Sequence, residues 1–103
     1  MNIVVVKLTT SEEVIGKKVG ESTTSDKRQY IELENSRVLM MQNDGQGGLG
    51  IGMLPFMPSS MDAQKDTEVS VRIYSEFIMA EPVSVPKTLE DGYLSKVSNI
   101  QIL

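Results

Sequence analysis

The sequence predicts a mostly β fold: a small, strongly bent, five-stranded antiparallel barrel carrying a long hairpin arm and ending in a short helix. Three observations predict it. Residues 4–8 and 30–34 alternate in side-chain character with the period of two that a half-buried strand requires. Between them, residues 14–20 resume the apolar character at Val14, Ile15 and Val19 and include Gly16 and Gly20, and two glycines within one short strand point to tight bending. From Thr88 onward the apolar period lengthens to that of a helix, with Leu89, Tyr93, Val97 and Ile100 on one stripe and Leu94 beside it.

Each element follows from its residues. Val4, Val6 and Leu8 line one face of the first strand, with Val5 and Lys7 on the other. Ser11, Glu12 and Glu13 form the turn into the bent second strand. After a polar loop, Tyr30, Ile31, Glu32, Leu33 and Glu34 open the third strand, which residues 36–42 continue, with Asn35 and Ser36 at a bulge. Residues 43–68 make the arm. Turn chemistry at 43–48 is followed by Leu49, Ile51, Met53, Leu54, Phe56 and Met57, and Pro55 and Pro58 rule out a regular helix. Its length points to a functional segment and its apolar content to a tip that packs on something, such as a neighbouring subunit.

Val69, Val71 and Ile73 begin a fourth strand that runs to about Met79 with a kink at Ser75 and Glu76. Residues 83–85 are expected as a short fifth strand ended by Pro86. Thr88 and Asp91 have the spacing of a capping box at the start of a helix over about 88–98, which Gly92 weakens by roughly 1 kcal/mol. The whole is one domain over 1–103, with strands across about 2–42 and 69–85.

Composition excludes several kinds of chemistry. The chain has 103 residues and a net charge of −4, from 10 basic against 14 acidic side chains, so it lacks the basic balance of a strong non-specific DNA binder. It has no cysteine and no histidine. Disulfides, thiolate metal sites, imidazole bases and the usual zinc sites are thereby excluded, and no enzyme activity, cofactor or metal is expected. The apolar start, cut short by Lys7 and lacking a basic leader, reads as a strand rather than a signal peptide. No apolar run reaches membrane-spanning length, and the expectation is a cytoplasmic protein without membrane contact.

Several motifs are weak. Residues 48–52 alternate glycine with aliphatics, but no Lys-Ser/Thr follows and Pro55 stands where a helix would have to begin. Asp62, Asp66 and Glu68 do not have the spacing of a calcium loop and read as solvated acids. Glu32 and Glu34 share a strand face and read as its solvent side. Lys17 and Lys18 read as solvated strand residues. Met40, Met41, Met53, Met57 and Met61 suggest an adaptable apolar surface, divided between core filling and partner contact.

The first part of the chain resembles the Sm-like family. Leu8, Val14, Gly16 and Gly20 follow the rhythm of that family's first signature; Asp26 stands at the signature Asp, and Ile31, Leu33 and Glu34 match the strand after it. Gln29 replaces the signature Met and Tyr30 the signature Asn. Residues 78–83 are similar to the second signature, with Met79 and Ala80 where Arg and Gly are usual. The pattern also resembles the divergent Sm-like proteins encoded by tailed phages, which implies a phage-encoded protein working in host cytoplasm.

The resemblance covers about two-thirds of the chain and implies a homo-oligomeric ring of about five to seven subunits, closed by pairing of the fourth and fifth strands between neighbours. It also implies RNA, or single-stranded DNA, held at Asp26, Lys27, Arg28, Gln29, Tyr30 and Met79. Lys27 and Arg28 are open to two readings, a solvated loop pair or contacts to phosphates, and Gln29 offers a donor and an acceptor to a base edge. Tyr30 is open to two readings, a stacking platform for a base or a strand aromatic packed on its neighbours. The rival to nucleic-acid binding is a ring-shaped structural or adaptor protein that works through the arm and the helix.

Overall fold

The computed structural model describes residues 2–43, 45–58, 61–62 and 67–102. Its strands in chain order are β1 (Ile3–Leu8), β2 (Glu13–Thr23), β3 (Gln29–Asn43), β4 (Leu49–Pro55), β5 (Met61–Asp62), β6 (Thr67–Glu68), β7 (Val71–Tyr74) and β8 (Ile78–Ala80). A 3-10 turn, Ser75–Phe77, joins β7 to β8, and the chain ends in helix α1 (Lys87–Ile102). All pairings are antiparallel: β2 lies between β1 and β3, β8 pairs with β1, and both β4 and β7 pair with β3. The sheet curls into a half-barrel, and the Ser75–Phe77 turn carries the chain from the β3 side to the β1 side. β5 and β6 form a separate two-stranded ladder.

The bend in β2 comes from two register shifts of opposite sense. Ile15 pairs with Arg37 but Lys17 pairs with Glu34, so one extra residue of β3 is taken up at Asn35 and Ser36, opposite Gly16. Lys18 pairs with Leu33 but Gly20 with Glu32, so the second extra residue is Val19 on β2. Asn35 adopts a left-handed backbone (φ 51°), which asparagine tolerates better than most residues. A Cβ on Gly16 would stand 3.1 Å from Leu33 Cβ and 3.3 Å from the Glu34 carbonyl oxygen, so a side chain there would press on the bulge and its neighbours would have to give way. Bulges of this kind increase local twist and curve a sheet.

Curvature divides the apolar residues into two cores, and β1 serves both. Val6 and Leu8, with Val4 partly buried beside them, face the barrel interior with Val14, Leu33, Val71 and Ile73. Ile3 and Val5 face the other way and meet Ile15, Met53, Tyr93 and Val97, where the helix lies across the sheet. Burying each such aliphatic side chain contributes about 1.5–3 kcal/mol, so the helix is an integral layer of the fold. Arg37, on β3 between Ile15 and Pro55, is 1% exposed and donates from its guanidinium to the Ser36 carbonyl at 2.9 Å.

Several expectations are corrected. Residues 83–85 are not a strand; Val83 is fully exposed, and the fifth strand of the barrel is β8, directly after the kink. Pro82 and Pro86 flank the segment and lack the N–H groups that would extend a ladder beyond its three residues. The fourth strand starts at Val71 rather than Val69 and stops at Tyr74, where the expected kink is a 3-10 turn. The hairpin arm begins earlier than residue 43, because β4 pairs along β3 from Asn43 back to Arg37. Its Met53 is buried against the helix, whereas Met40, Met41 and Met57 are exposed. The helix begins at Lys87, which puts Thr88 inside it rather than at the cap; Lys87 pairs instead with Asp91 at 3.2 Å. The side chains of Met61, Asp62, Asp66, Glu68 and Ile100 lie outside the described residues.

Candidate nucleic-acid interface

The turn from β2 into β3 is built on Thr24. Its backbone N–H donates to the Arg28 carbonyl (2.8 Å), its carbonyl accepts from Lys27 N–H (2.9 Å), and its hydroxyl oxygen accepts from Arg28 N–H (3.0 Å). The same hydroxyl donates to the Asp26 carboxylate. That bond, reinforced by backbone N–H groups and the nearby Arg28 charge, holds the Asp26 carboxyl below the usual aspartic-acid range. Lys27 takes a left-handed backbone (φ 68°) at the corner of the turn. Asp26 therefore orders the turn that presents Lys27 and Arg28.

β3 then meets β7 in a register that places Tyr30 opposite Tyr74 and Glu32 opposite Arg72. The two rings stand edge to face, with centroids 5.9 Å apart and planes at 67°. Arg28 lies over Tyr74 with Cζ 3.9 Å from the ring centroid, and Arg72 lies over Tyr30 at 4.6 Å. Each arginine also meets a carboxylate of the opposite segment. Arg28 Nε donates to Glu76 at 2.7 Å, with the guanidinium NH2 at 2.5 Å from the same oxygen; Arg72 Nε is 3.9 Å from Glu32. Cation–π contacts at exposed sites contribute about 0.5–1 kcal/mol each. The result is a row of guanidinium, ring, ring and guanidinium on the outer face of the sheet.

Gln29 borders two recesses beside the turn from β2 into β3. One, of about 330 Å³, is lined by Glu21, Ser22, Thr23 and Ile31 among others; the other, of about 270 Å³, by Lys27, Arg28, Ser75 and Glu76. Lys18 donates to Glu21 at 2.8 Å, and this bond with its charge holds the Glu21 carboxyl below its ordinary range. Lys17 stands 3.9 Å from Glu34, so the two lysines expected to be merely solvated are both matched by carboxylates.

The structure thus brings Asp26, Lys27, Arg28, Gln29 and Tyr30 together at the turn and the start of β3. It does not bring Met79 to them: Met79 lies on β8, 59% exposed, and lines neither recess. Tyr30 is half-buried, with one face covered by Arg72, so it packs on its neighbours and still keeps part of its surface open.

Sequence reasoning missed Arg72, Tyr74 and Glu76. A signal for them exists, since Arg-x-Tyr-x-Glu occurs at residues 28–32 and again at 72–76. Antiparallel pairing of these two copies sets tyrosine against tyrosine and each arginine towards the other copy's glutamate. Among the described residues no cluster of acidic side chains could hold a metal ion, and no helix is long and apolar enough to cross a membrane.

No protein-family model matches this chain, and no curated protein matches it either.

Proposed function

We propose that the chain is the subunit of a Sm-like homo-oligomeric ring, of about five to seven copies, that binds single-stranded nucleic acid weakly and serves in its processing. The observation that carries this reading is the pair of tyrosines with two guanidiniums on an open strand face, beside the turn that presents Lys27. Bases of any sequence can stack on aromatic rings, at about 1–3 kcal/mol per base, while arginine and lysine meet the phosphates. Weak binding fits the charge balance, because four of the basic side chains in this region, Lys17, Lys18, Arg28 and Arg72, are matched by carboxylates. Ring closure is favoured by β7 and β8. Each is paired on one side only among the described residues, and exposed strand edges are commonly covered by a neighbouring chain. RNA and single-stranded DNA share the chemistry this face would recognise.

The test is fluorescence anisotropy with short labelled RNA and DNA oligomers at two salt concentrations. Wild type is compared with a variant carrying Lys27→Ala, Arg28→Ala and Tyr30→Ala, both of one mass by light scattering. Saturable binding that weakens with salt and is lost in the variant is the expected result. An intact ring that binds neither oligomer at low salt refutes it.

A second reading, a structural or adaptor ring acting through protein contacts, is favoured by the arm. Met40, Met41, Ile51 and Leu54 are exposed on it, residues 45–58 carry no charge, and the outer edge of β4 is unpaired among the described residues. An uncharged apolar edge is one that proteins usually cover. On this reading Ile51→Lys lowers the assembled mass or abolishes partner capture while leaving oligonucleotide affinity unchanged.

A further inference from the structure

Given the nucleic-acid reading above, on which this rests, we infer that Arg72 and Arg28 are two phosphate-binding guanidiniums of unequal availability: Arg72 is only loosely paired with Glu32, whereas Arg28 is latched by Glu76 and engages a phosphate only by exchanging that carboxylate for it. The two occupy equivalent places in the paired Arg-x-Tyr-x-Glu segments, each over the other segment's tyrosine. Their carboxylate contacts differ. Glu76 holds Arg28 through two nitrogens at 2.5 and 2.7 Å, while Glu32 approaches Arg72 through one nitrogen at 3.9 Å. The Arg72 side chain is also the more exposed, at 54% against 42% for Arg28.

A phosphodiester and a carboxylate both offer oxygens to the guanidinium fork, so one can replace the other without moving the arginine off its ring. The recess beside the latch is lined by Lys27, Gln29 and Ser75 as well, which supply a second cation and neutral donors for the incoming oxygens. An ion pair this exposed is weak, and that makes the latch displaceable.

The inference is tested with the assembled protein and a labelled single-stranded oligonucleotide, by comparing Arg72→Gln, Arg28→Gln, Glu76→Gln and the double variant Arg28→Gln/Glu76→Gln. Arg72→Gln is expected to weaken binding about three- to ten-fold and Arg28→Gln less than about two-fold. Glu76→Gln is expected to tighten binding about two- to five-fold, and the gain should vanish in the double variant. Equal losses from the two arginines overturn the inference. So does a Glu76→Gln gain that survives without Arg28, since removal of a negative charge alone would then explain it. If the wild type binds and the triple variant at 27, 28 and 30 does not, but Glu76→Gln changes nothing, the latch is refuted and the nucleic-acid site stands. If no form binds, both fall together.

Discussion

The Tyr93 hydroxyl donates to the carbonyl of Asn35 at 2.8 Å, so the C-terminal helix is tied to the bulge that bends the barrel. The same hydroxyl reaches the Glu34 carbonyl at 3.2 Å, and the ring is 1% exposed in the core between helix and sheet. Bulging frees carbonyls from the ladder, and a buried tyrosine needs an acceptor; each satisfies the other.

Tyr93→Phe keeps the packing and removes the bonds. It should cost about 1–2 kcal/mol in urea unfolding at fixed protein concentration, whereas Tyr93→Ala should cost about 3–5 kcal/mol. A Tyr93→Phe protein as stable as wild type would mean that the helix is held by apolar contact alone.

Gly16 and Gly20 lie in the same strand but should respond differently to alanine. At Gly16 the new Cβ presses on Leu33 and the Glu34 carbonyl, and Gly16→Ala should destabilise by about 1–3 kcal/mol. At Gly20 nothing lies within 4 Å, so Gly20→Ala should be neutral or stabilising by up to about 1 kcal/mol. Thermal melts of the two variants side by side decide this.

Gly92 sits inside α1, and a Cβ there would meet only Met53 Cε at 4.0 Å, an ordinary contact. Gly92→Ala should therefore stabilise by about 0.5–1 kcal/mol through helix propensity. A raised urea midpoint with unchanged slope is the expected observation.

Asp26 should titrate below the ordinary aspartic-acid range, and Thr24→Val should return it towards that range, as read by carbon-13 NMR of its carboxyl. A folded-state value below the unfolded one means that folding favours the ionised form. The small stabilisation is then complete above the unfolded value and is lost as pH falls through the folded one. The turn at 24–28 should accordingly loosen only in acid below the usual carboxylate range, with amide exchange at Arg28 as the readout.

How much of this was legible in the sequence varies from residue to residue. Alternation at 4–8 and 30–34 identified β1 and the start of β3, and the glycines identified the bend of β2, because these are local consequences of strand geometry. The bulge at Asn35 and Ser36 was legible for the same reason, and so was the helix stripe through Tyr93 and Val97. Residues 83–85 misled because Val-Ser-Val has the period of a strand, while pairing depends on an edge elsewhere in the fold. Asp26 to Tyr30 are contiguous, so their grouping could be read directly. Arg72, Tyr74 and Glu76 lie more than forty residues further along, and only their repeated spacing hinted at a partner.

By itself, then, the sequence determined the first three strands, the bend of the middle one, the uncharged apolar segment over residues 45–58, the apolar stripe of the helix and the absence of cysteine and histidine. These are properties of short windows and of composition. Tertiary structure alone decided that β1 is buried on both faces, that the helix covers the sheet through Tyr93, and that Arg28 faces Glu76 across two turns. Register decides those relations, and register depends on where two distant segments slide to a stop, which here was set by single-residue bulges opposite Gly16 and at Val19.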